Sequence, residues 1–258
     1  MNELLKDLGL QESEINKILN NEKVKDLKEE KLLNNFKALI NVMHLNNLSL
    51  EEAKGIIIKS PRLLSFSPTT LENKIESLKD KGLINIKGML KKNKSLLTLS
   101  EENIDLKING LVNLGFHKEN VLEMLNTEAS IFNYNMDTIK GKIDKLARIL
   151  SNKEIESLVT SWPNVICRDI DSINERIHFL SSIGAKDYVL NKPMVLTQGI
   201  NKTYARVMYI KDHNKNIADA FKGTKEFNQK YTAKDADLLE RYNYENSSYK
   251  EDYKERFK

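Results

Sequence analysis

Residues 60–82 read SPRLLSFSPTTLENKIESLKDKG, and they contain the pattern from which the architecture of the chain can be predicted. An apolar pair, Leu63-Leu64, precedes Ser67-Pro68, which is a helix-capping residue followed by proline at the first helical position, where it is tolerated best. Apolar residues then recur at the spacing of one buried helix face: Leu71, Ile75 and Leu78. Gly82 follows where a left-handed C-terminal cap is expected. The stretch predicts a short turn or 3₁₀ segment followed by a capped helix.

The same skeleton recurs along the chain. The first residues of five apolar pairs stand at positions 63, 96, 131, 165 and 195, so the steps are 33, 35, 34 and 30 residues. A degenerate leading copy runs through Leu32, Phe36 and Leu39. A second helix precedes the pair in each unit, and two of these helices open with the capping-box patterns Ser49-x-x-Glu52 and Ser151-x-x-Glu154. Regular spacing within the unit and a slightly variable period are typical of stacked helical repeats, which tolerate insertions in their loops.

We therefore expect an all-α, right-handed helical-repeat solenoid of about five to six α-α-3₁₀ units. The pattern lapses near residue 215, which predicts a repeat domain over 1–215. Residues 216–258 are polar and rich in tyrosine, and we interpret them as C-terminal capping helices or a tail.

The bulk composition excludes several classes of protein. The formal charge is only +4, from 41 basic and 37 acidic residues, which permits a nucleic-acid partner without demanding one. A single cysteine, Cys167, excludes an internal disulfide framework. No apolar run approaches the roughly 20 residues that span a bilayer, so we expect no membrane association. The start of the chain lacks the features of a signal or transit peptide.

The sequence contains no recognisable catalytic pattern. Its four histidines are scattered, and none has a metal-ligand spacing with a carboxylate or thiol: His44, His117, His178 and His213. A glycine-rich phosphate loop and a nucleophile elbow are also missing. We predict a protein that is not an enzyme and needs no cofactor or metal.

A basic residue recurs at one position of every clear repeat, three residues after the first anchor of the helix. We name these residues the stripe cations: Lys74, Lys107, Lys142, Arg176 and Arg206. Equivalent positions in a solenoid line up, so the stripe cations could neutralise phosphates spaced along a nucleic acid. The alternative is that each long stem covers the edge of the apolar stripe while its charged head stays in water.

Further basic residues lie near the repeat motifs and are additional candidates for phosphate contacts. Four are included in the predicted binding site: Arg62, Lys94, Arg168 and Lys202. Others are neighbouring surface candidates: Lys91, Lys92, Lys140, Lys145, Arg148 and Lys211. The only tryptophan, Trp162, either stacks on a base or packs partly buried beside the motif proline.

These motifs resemble the repeat of the mitochondrial transcription termination factor (mTERF) family over roughly residues 5–212. The residues that carry the resemblance are Gly115-Phe116 through Leu125, Ser60-Pro61-Arg62-Leu63-Leu64 and Leu71-x-x-Lys74-Ile75-x-x-Leu78-x-x-x-Gly82. Three positions depart from the pattern. Lys94 and Ala129 replace the motif proline, and Leu150 replaces a closing glycine.

The resemblance implies a superhelix of α-α-3₁₀ units with a basic concave groove that binds double-stranded DNA or structured RNA. It further implies a role in transcription regulation or termination, or in RNA- or ribosome-related gene expression. A mature chain would then work in a mitochondrion or plastid, and a chain complete as given would work in the cytoplasm. We expect a monomer that binds nucleic acid. The alternative is a protein-binding helical scaffold or assembly factor, because stacked helices also offer surfaces to protein partners.

Overall fold

The computed structural model describes residues 2–257, and over that range the chain forms α-helices and 3₁₀-helices without a β-strand. The α-helices are α1 (Asn2–Asp7), α2 (Glu12–Leu19), α3 (Glu29–Leu45), α4 (Leu50–Lys59), α5 (Pro68–Asp80), α6 (Ile86–Lys92), α7 (Glu101–Asn113), α8 (Lys118–Thr127), α9 (Met136–Leu146), α10 (Asn152–Ser161), α11 (Ile170–Ser182), α12 (Lys186–Asn191), α13 (Ile200–Asp212), α14 (Thr224–Tyr231), α15 (Asp235–Arg241) and α16 (Ser248–Phe257). The 3₁₀-helices are η1 (Pro61–Ser65), η2 (Leu96–Thr98), η3 (Ala129–Asn133), η4 (Pro163–Cys167), η5 (Pro193–Thr197), η6 (Ile217–Phe221) and η7 (Tyr244–Asn246). The prediction of an all-α helical-repeat fold is confirmed.

The chain divides into two compact units, residues 1–139 and residues 140–258. The first unit contains the repeats α4–η1–α5 and α6–η2–α7, followed by α8–η3 and the start of α9. Its leading copy, α2 and α3, is joined by turns instead of a 3₁₀-helix. The second unit contains α10–η4–α11 and α12–η5–α13. Apart from the leading copy, each repeat is therefore a helix, a 3₁₀ turn and a second helix, in the order that the motif predicts.

The predicted capping residues form the expected hydrogen bonds at the starts of the helices. The Ser67 hydroxyl accepts from the Thr70 amide at 3.1 Å, and the Ser100 hydroxyl accepts from the Asn103 amide at 3.2 Å. Both predicted capping boxes are present, at the starts of α4 and α10. These bonds satisfy amides that have no acceptor inside the helix.

The ends of the second helices share one closing geometry. Gly82 adopts φ +87°, and the amide of Leu83 donates back to the Leu78 carbonyl at 2.9 Å. The same left-handed position is taken by Asn47 (φ 64°) and Asn214 (φ 49°), because asparagine tolerates this conformation better than other side chains. Where Leu150 replaces the glycine, α9 ends earlier, at Leu146, and Leu150 donates to the Leu146 carbonyl at 2.9 Å.

The core of each unit is built from the apolar pairs and the helix stripes. Leu63 and Leu64 are both 0% exposed, and the anchors Leu71, Ile75 and Leu78 are all buried. Burial of such a side chain contributes about 1.5–3 kcal/mol. The motif residues thus form the contacts that hold the repeats together.

Residues 216–257 pack onto the second unit. In this segment α15 and η6 contact α13, and α16 contacts α11. His178 of α11 lies 2.7 Å from the Asp252 carboxylate, and Lys250 pairs with Glu175. The segment also contributes buried apolar and aromatic side chains: Phe227, Leu238, Tyr244 and Tyr253.

Candidate nucleic-acid interface

The helical repeat places every stripe cation immediately before the second anchor of its helix. Lys74 precedes Ile75 on α5, and Lys107 precedes Ile108 on α7. The side chain therefore leaves the helix at the edge of the buried stripe, where the following repeat packs. This position decides what the charged head can reach.

Three lysines among the stripe cations donate to backbone carbonyls of the following repeat. Lys74 Nζ lies 2.6 Å from the carbonyl oxygen of Leu99, the residue just before the capping Ser100. Lys107 Nζ donates to the carbonyl of Tyr134, the residue before Asn135. Lys142 Nζ contacts the carbonyl oxygens of Ile166 at 2.7 Å and Arg168 at 2.6 Å. The lysine heads therefore tie one repeat to the next, which neither sequence interpretation had foreseen.

Arg206 forms the same connection in a fully buried setting. Its guanidinium donates to the carbonyl of Lys222 at 2.7 Å, and to both carboxylate oxygens of Asp235 at 2.7 and 2.9 Å. The residue is 0% exposed, and its guanidinium also lies 4.4 Å from the ring centroid of Phe227. Since the guanidinium is enclosed, we leave Arg206 out of the candidate interface. Lys107 is 6% exposed, and we leave it out for the same reason.

Burial disfavours the charged form of four stripe cations. It lowers the pKa of Lys74, Lys107, Lys142 and Arg176. At Lys74 the neighbouring Arg62 charge lowers the pKa further, and Glu101 opposes the change. The backbone carbonyls therefore compensate ammonium groups that have lost part of their hydration.

Arg176 differs from the other stripe cations. Its Nη1 donates to the Ser172 carbonyl in its own helix at 3.2 Å, and its buried Nε has no hydrogen-bond partner. Within the described part of the chain, it forms no bond to the next repeat, where Gln198 occupies the position of Leu99 and Tyr134.

The other predicted basic residues have different surroundings. Arg62 and Arg168 are exposed, whereas Lys94 is half-buried. Arg168 Nε donates to Asn164 Oδ1 at 2.7 Å. Lys202 donates to the Thr224 hydroxyl and lies 3.2 Å from the Asp235 carboxylate.

The neighbouring surface lysines mostly pair with acidic side chains. Lys91 pairs with Glu52, and Lys92 lies 3.2 Å from Glu128. The other two pairs are Lys140–Asp144 at 2.8 Å and Lys145–Asp171 at 2.7 Å. Arg148 and Lys211 are exposed.

In each unit, basic residues of the motif lie on what we name the 3₁₀ edge, the surface of that unit's own segments among η1 to η5 and of the residues that adjoin them. Arg62 lies within η1, Lys94 precedes η2, and Arg168 follows η4. Sequence reasoning missed two further exposed cations at this edge, Lys59 and Lys192. The signal was available, because Lys192 stands directly before the motif proline Pro193.

The family model for mTERF matches residues 1–151, which is more than half of the chain. The chain belongs to the mTERF family. Proteins of this family are helical-repeat proteins that generally bind nucleic acid without catalysis and typically act in organelles. Among curated proteins, none matches the chain.

In each unit a cleft opens between the second helix of one mTERF repeat and the 3₁₀ turn of the next. In the first unit, a cleft of about 360 Å³ lies beside Lys107 and is bordered by Leu106, Tyr134 and Met136. In the second unit, a cleft of about 260 Å³ lies beside Arg176 and is bordered by Arg168 and Trp162. Trp162 is only 6% exposed, so it packs against the mTERF repeat and does not offer its ring for stacking.

No group of three or more histidine, cysteine, aspartate or glutamate side chains within the described residues is arranged to hold a metal ion. In the same part of the chain, no helix is both long enough and apolar enough to cross a bilayer.

Proposed function

We propose that this mTERF protein is a non-enzymatic, monomeric nucleic-acid-binding protein that engages double-stranded DNA or structured RNA through the 3₁₀ edge. Its role would lie in transcription regulation or termination, or in RNA- or ribosome-related gene expression, in a mitochondrion or plastid if the chain is a mature organellar protein. The observation that supports this proposal is the set of exposed cations on the 3₁₀ edge of a fold whose family generally binds nucleic acid.

The charges of this edge suit a phosphate backbone better than the stripe cations do. The side chains of Arg62 and Lys94 have no hydrogen-bond or ion-pair partner among the described residues, and the side chain of Arg168 is bonded only through Nε. Such groups can exchange water and counterions for phosphate oxygens without first breaking a contact inside the protein. By contrast, Lys74 and Lys142 would have to release backbone carbonyls, so we give them a secondary part in the interface. Lys202 would likewise have to leave Asp235.

The test compares two triple variants of the full chain on a random 20-base-pair duplex and on an RNA hairpin. One removes the edge cations (Arg62→Gln, Lys94→Gln, Arg168→Gln), and the control removes three exposed lysines away from this edge (Lys79→Gln, Lys118→Gln, Lys153→Gln). Each lost phosphate contact should reduce the slope of log affinity against log salt by about 0.9 on duplex DNA. Equal losses in the two variants, or wild-type binding that ignores salt, would refute the proposal.

A protein-binding role is the second candidate, and one surface of the first unit favours it. Leu45 is 70% exposed and Leu50 is 50% exposed at the α3–α4 turn. Ile84, which is 72% exposed, precedes α6, and Lys87 of that helix donates to the Asn47 carbonyl of the same turn at 2.8 Å. If a protein partner binds here, Leu45→Ser with Ile84→Ser abolishes its binding in a titration and leaves nucleic-acid affinity unchanged.

A further inference from the structure

Arg176, the stripe cation of α11, keeps hydrogen-bond donors unpaired, whereas the other stripe cations use theirs on the following segment. Lys74, Lys107, Lys142 and Arg206 each donate to the carbonyl just before the next second helix or its equivalent. Among the described residues, the side chain of Arg176 donates only to the carbonyl of Ser172 in its own helix, at 3.2 Å. Its Nε is buried without a partner, which is an arrangement that native proteins rarely leave unsatisfied.

A cleft of about 260 Å³ adjoins this guanidinium. Its polar lining includes Arg168, Asp169, Ser172, Arg176 and Thr197. Such a volume exceeds the roughly 30 Å³ share of one liquid water several times over. The cleft can therefore admit a group larger than a solvent molecule.

The charges that line the cleft sum to a positive value. Two guanidinium groups face one carboxylate, that of Asp169. This carboxylate accepts from the Ser172 amide at 3.3 Å as the cap of α11, and its bonds to Ser172 lower its pKa, so it is committed to the helix start. Arginine forks match the oxygens of phosphate in a bidentate geometry.

We propose that Arg168 and Arg176 form a phosphate-binding subsite in this cleft, which holds one backbone phosphate of the bound nucleic acid. The subsite rests on the proposed function, and it adds a fixed point of contact to an otherwise diffuse row of charges. The equivalent cleft beside Lys107 does not offer such a phosphate site, because the Lys107 ammonium already donates to the Tyr134 carbonyl.

The decisive variant is Arg176→Lys, which keeps the charge and removes the fork. Lysine at this position reaches a backbone carbonyl in three other repeats. We therefore expect the variant to fold with at least wild-type stability while its affinity for the duplex or hairpin falls about tenfold. The matched control, Arg241→Lys, makes the same exchange on an exposed arginine of α15 and should bind as the wild type does. Arg168→Gln provides a second variant at an exposed position and should lose affinity to a similar extent.

Three probes separate the outcomes: the nucleic acids, inorganic phosphate followed by ³¹P NMR line width, and a glutamate-rich peptide as competitor. Phosphate broadening in the wild type that disappears in Arg176→Lys supports the subsite, even if no nucleic acid binds and the proposed function fails. Wild-type affinity in both Arg176→Lys and Arg168→Gln overturns the subsite and leaves the proposed function standing. The subsite is also overturned if the glutamate-rich peptide displaces phosphate when the two carry the same concentration of negative charge, because the cleft would then prefer carboxylates.

Discussion

Replacing Lys107 with methionine separates the two roles that a stripe cation can have. Methionine keeps most of the apolar stem and removes the ammonium that donates to the Tyr134 carbonyl. If the lysine ties α7 to the turn before α9, the variant loses stability. If it serves only to contact phosphate, stability is unchanged and affinity falls.

The expected loss of stability follows from two opposing effects. A hydrogen bond to a charged group contributes about 1.5–3 kcal/mol. Against this, Lys107 is 6% exposed, and burial lowers the pKa of its ammonium, so methionine also removes a desolvation penalty. We expect a net loss of about 1–2 kcal/mol, which changes the ratio of folded to unfolded protein by a factor of about 5–30.

The assay is urea unfolding of the full chain, combined with native-state hydrogen exchange at the amides of α7 and η3. The control is Lys118→Met, which changes an exposed lysine of α8 in the same unit and should stay within about 0.5 kcal/mol of the wild type. Should Lys107→Met be as stable as this control, with no faster exchange in α7 and η3, the proposed tie between repeats would be refuted.

Three more predictions concern stability. The ammonium of Lys230 and the hydroxyl of Tyr231 lower the pKa of Asp219 from 3.8 to about 2. A carboxylate with a depressed pKa stabilises the fold at pH values above its unfolded-state pKa, and this contribution is lost as the pH falls through its folded-state pKa. Asp219→Asn should therefore reduce the dependence of the melting temperature on pH between about pH 4 and pH 2. An unchanged dependence in this range would contradict the prediction. Gly55→Ala should raise the free energy of unfolding by about 0.5–1 kcal/mol, since the new Cβ meets no atom within 4 Å. Gly115→Ala should lower it by about 1 kcal/mol, because Gly115 has φ +98°. Urea midpoints of the two variants that move in the same direction would count against this argument. Arg206→Met leaves the Asp235 carboxylate without its bidentate partner and should lower the free energy of unfolding by about 3 kcal/mol, with partial recovery in the double variant Arg206→Met with Asp235→Leu; a single variant as stable as the wild type would show that the pair is dispensable.

The repeat could be predicted from sequence because its signals are local. A capping serine, a proline at the first helical position and a left-handed glycine each act within a few residues, as at Ser67, Pro68 and Gly82. The anchors are spaced by the geometry of a single helix, and they are buried as predicted.

The contacts of the stripe cations could not be predicted in the same way. The acceptor of Lys74 is a backbone carbonyl 25 residues further along the chain, and every residue type carries such a carbonyl. A basic residue at the same position of every repeat could contact a regularly spaced ligand group, such as a phosphate. It could equally contact a backbone carbonyl that recurs with the repeat. The sequence also gives no sign that Arg176 makes different contacts, because this basic residue occupies the same position of the repeat as the other stripe cations.

The lysine-to-carbonyl bond has a consequence for how such chains change length. Each unit contributes one donor and one acceptor to these bonds. In α6–η2–α7, the Leu99 carbonyl accepts from Lys74 of the preceding unit, and Lys107 donates to Tyr134 of the following unit. Tandem duplication of a whole unit therefore creates a copy that already fits its neighbours on both sides. Loss of half a unit, by contrast, would leave a cation without its carbonyl acceptor, so we expect deletion of half a unit to cost this chain more stability than deletion of a whole one.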